Sequence, residues 1–139
     1  NHPIHRLHSQ LCGTELRKLY EVAGREPCWM NPEDAAARGL EDGDVVRVFN
    51  DRGQILAGVV VTDVIRPGVI RISEGGWFDP TDARAAGSLC KYGDVNTLTT
   101  GIATSRLSQG NCGQTAMAEV EKFEGVPPAV TVFSEPVTG

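Results

Sequence analysis

The chain has 139 residues, 40% hydrophobic and 22% charged, with a formal net charge of −5. That composition suits one globular domain with its own core. The acidic balance argues against a nucleic-acid module, which needs a basic face, and no apolar run reaches the roughly 20 residues that span a bilayer.

Residues 1–27 are polar and show neither helical nor strand periodicity. No signal-peptide pattern opens them. Asn1-His2-Pro3-Ile4-His5 reads as mid-chain, so one domain over residues 1–139, cut from a larger protein, is expected. Cys28-Trp29-Met30 is a short strand candidate. Asn31 then offers an N-cap, Pro32 a first helical residue, and Glu33 and Asp34 an acidic first turn. Gly39 ends that helix.

Val45–Phe49 and Gln54–Thr62 read as two strands of a hairpin across Asn50-Asp51-Arg52-Gly53. Val69–Ser73 follows a Pro67-Gly68 turn as a third strand. Residues 74–113 form a long, glycine-rich stretch, with 79–95 expected as a surface loop. Structureless stretches of that length are often functional. Thr115–Phe123 and Ala129–Phe133 are the last two strand candidates. The reading is mainly β with short helices, in a small barrel or sandwich.

Cys12, Cys28, Cys90 and Cys112 form no CxxC pair, which disfavours a zinc ribbon. They read as free, mostly buried thiols. His2, His5 and His8 are evenly spaced, but not at any zinc-binding spacing, and they read as loop histidines. Neither a Ser-His-Asp arrangement nor a P-loop is present. Arg6-Leu7-His8-Ser9-Gln10-Leu11 packs donors and acceptors into one loop that could hold a phosphate or a polar ligand. Gly75-Gly76-Trp77-Phe78 combines close backbone approach with flat stacking surfaces, or else carries core aromatics at a strand end. Asn96 and Gln114 are amides on glycine-flanked loops, able to pair with heterocycle edges or to serve as turn residues.

His5–Leu11, Gly24-Arg25-Glu26-Pro27, Asn31–Gly39, Gly43–Gly53, Glu74–Pro80, Tyr92–Thr99, Gln109–Thr115 and Ala118–Lys122 together resemble the C-terminal domain of the dimethyl sulfoxide reductase family. The match runs in order along essentially the whole chain. It leans toward the periplasmic dimethyl sulfoxide, trimethylamine N-oxide and biotin sulfoxide reductases of anaerobic respiration.

The resemblance implies a double-psi β-barrel and a bis-molybdopterin guanine dinucleotide cofactor carrying molybdenum. It implies cofactor contacts by Arg6, His8, Ser9, Gln10, Trp77, Phe78, Asn96 and Gln114. It implies a parent oxidoreductase that reduces S-oxides or N-oxides, with no turnover by this segment alone. In this subgroup a serine from another domain ligates the metal, so Ser9 is not that ligand and neither a catalytic nor a metal residue is assigned here. The partners implied are the remaining domains of the parent and a c-type cytochrome electron donor, with no nucleic acid and no membrane insertion. Competing readings are a non-catalytic double-psi barrel interaction module, and a self-processing enzyme cleaving at Gly87-Ser88.

Overall fold

The computed structural model describes residues 8–110 and 116–135. Val45–Phe49 (β2) and Gln54–Val61 (β3) pair antiparallel, with Phe49 opposite Gln54 and Val45 opposite Gly58. Asn50 closes the hairpin: its Oδ1 accepts from the Arg52 amide at 2.9 Å and the Gly53 amide at 3.3 Å, as Asx turns do.

Pro27–Met30 (β1) runs parallel to β3, with Cys28 opposite Val59. Ile70–Ile72 (β4) adds antiparallel to β1, and Glu119–Lys122 (β5) adds antiparallel to β2. The result is a five-stranded mixed sheet in the order β4-β1-β3-β2-β5. The expected strand Val69–Ser73 shortens to β4.

A parallel neighbour cannot follow through a tight turn. The path from β1 to β3 goes through helix α1 (Pro32–Ala37) and β2. Asn31 caps α1 as the sequence indicates, accepting from the Glu33 amide at 3.0 Å, and Pro32 occupies the first turn. Gly39 follows in the left-handed region at φ 62°.

The core lies on β3. Ile55, Leu56, Ala57, Gly58 and Val59 are all buried, so this strand has both faces covered. Cys28 and Met30 of β1, Val46 and Val48 of β2, and Val120 of β5 point inward at every second position and join Ala35, Leu40 and Leu98. Cys12, Cys28 and Cys90 are free and buried. Burial pushes the Cys28 thiol up to about 12, so it stays a neutral core group. Cys112 lies outside the described residues.

The structure departs from the sequence reading in further places. Of the expected strand Thr115–Phe123, only Glu119–Lys122 is a strand among the described residues. Residues 1–27 include a 3-10 turn at Glu15–Leu19. Residues 79–95 are not wholly a surface loop: Cys90, Lys91, Tyr92, Gly93 and Asp94 are buried. Cys90 is stitched to β3, donating to Gln54 O at 3.0 Å and accepting from Leu56 N at 2.8 Å. Polar residues hid this insertion, because Asp79 and Lys91 satisfy each other inside, 3.2 Å apart. Finally, Ala129–Phe133 forms no strand. Side chains hold it instead: Thr131 bonds to Asp79 and Lys91, and Phe133 packs on Trp77 and Tyr92.

Replacing Ile55 by alanine should cost about 2–5 kcal/mol, because it opens a cavity on a strand covered on both faces. Chemical denaturation would read this as a lower midpoint with an unchanged slope.

Candidate functional site

The polar loop after residue 7 and the Gly-Gly-Trp-Phe segment meet. His8 has φ 61°, an uncommon backbone state for a residue with a side chain. Its carbonyl sits where a Cβ on Gly75 would go, and Gly75 itself has φ 97°. Only glycine fits at that crossing. The Trp77 indole donates from Nε1 to the Ser9 carbonyl at 3.3 Å. Its ring lies across Gly13, where an added Cβ would come within 3.0 Å of Cη2. His8 Nδ1 lies 3.2 Å from Glu74 Oε1. His8, Ser9 and Trp77 are thus brought into one patch, with Gln10 on the same loop.

Ser9 and Gln10 are exposed, and among the described residues neither side chain has a hydrogen-bond partner. Trp77 remains 39% exposed and Phe78 52%, so these are not core aromatics and their faces are available to a ligand.

Phe78 faces a second feature. It lines a pocket of about 320 Å³ with Arg52, Arg84, Thr97 and the 82–88 turn. The 3-10 turn Val95–Leu98 forms one wall and carries exposed Asn96. The hairpin tip fixes that wall. Gly53 packs on Thr97, Asn50 Nδ2 and Arg52 Nε both donate to Leu98 O at 2.9 Å, and Asn50 reaches Met117 O at 3.0 Å.

Asp94 caps the turn by accepting from the Asn96 amide at 3.0 Å. Burial holds the Asp94 carboxyl above its ordinary value, and hydrogen bonds from Asn96 oppose that shift. No hydrogen bond joins Asn96 to the Ser9 loop among the described residues. Arg6, Gln114, His2 and His5 lie outside the described residues. Ser88 serves the 82–88 turn: its Oγ accepts from the Asp82 amide at 2.8 Å and pairs with Thr81 Oγ1 at 2.9 Å. That gives Gly87-Ser88 a structural role.

A neutral, amide-rich loop crossed by an open indole suits a flat, hydrogen-bonding ligand. The model of the molydopterin dinucleotide binding domain matches residues 1–117. The chain belongs to that family.

It is 63% identical over 136 residues to the dimethyl sulfoxide/trimethylamine N-oxide reductase of Cereibacter sphaeroides, covering 98% of this chain and 16% of that protein. The Rhodobacter capsulatus reductase of the same name is 65% identical over 95% of this chain and 16% of its own length. Trimethylamine-N-oxide reductase 1 of Escherichia coli K12 is 56% identical over 94% of this chain and 15% of its own length. The chain therefore spans under a fifth of each of these relatives. Among solved structures, acetylene hydratase from Pelobacter acetylenicus superposes with a TM-score of 0.59 at 16% identity, over 79% of this chain and 15% of that one, which is a likeness of fold alone.

The residues present fit a pterin dinucleotide. Such a ligand asks for hydrogen-bond edges, stacking surfaces and close backbone approach. Ser9, Gln10 and Asn96 offer exposed hydrogen-bonding groups and Trp77 and Phe78 exposed rings, while the close approach at Gly75 and Gly76 is taken up by this chain's own His8 carbonyl and Glu26 side chain. Among the described residues no group of three or more His, Cys, Asp or Glu side chains could hold a metal ion.

Sequence reasoning missed the layer beneath. Glu26 is fully buried against Gly76 and Gly93 and ties the three segments together. Its amide donates to Tyr92 O at 3.0 Å, and its carbonyl accepts from Gly58 N at 3.0 Å. The available signal was a charged pair, Arg25-Glu26, at the entry to an apolar strand.

Two substitutions probe this geometry. Gly75→Ala should displace the residue 8–13 loop and weaken ligand retention while leaving the sheet intact. Amide exchange confined to residues 8–13 and 74–78 would show it. Asp94→Asn keeps the cap acceptor and removes a buried charge. Because the folded Asp94 pKa is raised, its penalty is present above that pKa and vanishes as pH falls below the unfolded value. Thermal melts should show the Asn variant equal to or above wild type at pH 7, with the difference shrinking toward pH 3.

Proposed function

We propose that this chain is the cofactor-covering domain of a molybdenum reductase acting on S-oxides or N-oxides, and that it lies over a bis-molybdopterin guanine dinucleotide. The observation that carries the reading is the Ser9 loop locked against Trp77, beside an exposed amide turn, in a chain so similar to dimethyl sulfoxide and trimethylamine N-oxide reductases. Membership of the family supports reading the five-stranded mixed sheet as part of a double-psi β-barrel.

Ser9 and Gln10 bond to pterin or pyrophosphate edges, with Arg6 as the phosphate counter-charge. Trp77 and Phe78 lie along the cofactor, Asn96 bonds one pterin, and Gln114 reaches a pterin or guanine edge. When bound, the cofactor supplies a two-electron metal centre that takes the substrate's oxygen atom and leaves sulfide or amine. Dithiolene sulfurs hold the metal, so this chain positions the group without ligating it. The substrate funnel and the metal-ligating serine lie in the remaining domains of the parent. The parent works in the periplasm with a c-type cytochrome as donor. Among the described residues no helix is long and apolar enough to cross a membrane.

The test is made on the full-length protein containing this segment. Metal analysis and nucleotide release should give about one molybdenum and two guanine dinucleotides per protein, the stoichiometry expected when the cofactor carries the chemistry. Reduced viologen should drive trimethylamine N-oxide reduction. The isolated chain should not turn over, and turnover by it would overturn the assignment. Asn96→Ala in the full-length protein should lower the dinucleotide retained after desalting. A protein that purifies with a polypeptide partner and without pterin would instead support the interaction-module reading.

A further inference from the structure

We propose that the C-terminal segment Pro128–Phe133 is a strap whose Phe133 holds the Trp77 indole, and through it the Ser9–Gly13 loop, in the ligand-binding arrangement. The residue so assigned is a positioning residue. The proposal rests on the reading that this patch binds a pterin dinucleotide.

The strap is pinned by side chains rather than by a sheet. Arg25 Nη2 donates to the Pro128 carbonyl. The buried Asp79 carboxylate accepts from the Thr131 amide at 2.7 Å and from its hydroxyl at 2.8 Å, while buried Lys91 donates to the same hydroxyl at 2.6 Å. A partnered acid–base pair inside the protein is thus spent on one threonine two residues before Phe133.

Phe133 then sits among three groups. Its ring centroid is 4.9 Å from Tyr92, edge to face, and 5.6 Å from Trp77, tilted by 35°. The Arg17 guanidinium carbon lies 3.6 Å from its centroid. Arg17 and Tyr92 are both fixed by Glu21, which pairs with Arg17 and accepts from the Tyr92 hydroxyl at 2.8 Å. One side of this cluster therefore cannot yield, and Phe133 transmits that rigidity to Trp77. Trp77 in turn touches the loop at Ser9 O and Gly13. Fixing such a ring in advance removes an ordering cost from binding.

The experiment compares wild type, Phe133→Ala and Thr131→Val in the full-length protein, by amide exchange and by pterin released on desalting. Thr131→Val removes the two hydroxyl contacts of the latch, to Asp79 and Lys91, and leaves the amide bond to Asp79 and the aromatic cluster untouched. Both variants should speed exchange at residues 8–13 and 75–78 by about three- to tenfold, the range an aromatic pair supports. Exchange in β1–β3 should stay at wild-type rates, and more pterin should be released. Unchanged exchange at residues 8–13, or an increase spread evenly over β1–β3, overturns the proposal. Wild type lacking pterin would sink the proposed function instead, and the exchange comparison would still decide the strap.

Discussion

The structure depends on one strand that has no free face. In β3, Ile55 to Val59 are buried without a break, and the strand pairs along both edges, parallel to β1 and antiparallel to β2. The other parts of the candidate site are placed by reference to it. Cys90 docks on its first half and carries Tyr92 and Asp94 inward. Val22 crosses at Gly58, where a Cβ would overlap its carbonyl, and so the chain just before β1 is held against β3 at that point. Gly53, at the turn just before β3, seats Thr97 and the Asn96 turn. A strand covered on both faces reads as a continuous apolar run rather than an alternating one, which is how Ile55–Val59 appears in the sequence.

Local rules made much of this legible. The Asn31-Pro32 cap, the Asn50–Gly53 hairpin and the short apolar strands β1 and β2 follow from residue chemistry within a few positions. The buried segment 90–94 and the C-terminal strap were not legible, because their reasons are non-local. Lys91 reads as surface until Asp79 is known to sit 3.2 Å away, and Phe133 reads as the end of a last strand until Arg17, Tyr92 and Trp77 converge on it. The site divides in the same way. Glycine pairs and exposed aromatics pointed to the Gly75–Phe78 segment, yet what fixes it to the Ser9 loop is a backbone crossing that no periodicity encodes.

The electrostatics sharpen what kind of binding surface this is. The chain carries a net charge of −5, while the proposed ligand carries two pyrophosphates. A long-range field from this domain would repel such a ligand. On the proposed function, affinity comes from short-range, directional groups: hydrogen-bonding edges at Ser9, Gln10 and Asn96, aromatic faces at Trp77 and Phe78, and Arg6 as a local charge. Groups of that kind add little unless they are already in position, because each side chain ordered on binding costs entropy. Glu26, Asp79, Lys91 and Asp94 are buried, whereas Ser9, Gln10, Asn96, Trp77 and Phe78 are exposed. Burying polar groups is worthwhile only when they are satisfied and rigid, and Asp79 with Lys91 meets both conditions at Thr131. The buried Asp79–Lys91 pair thus stiffens the segment at Thr131, and the proposed recognition is left to surface groups, neutral ones together with Arg6.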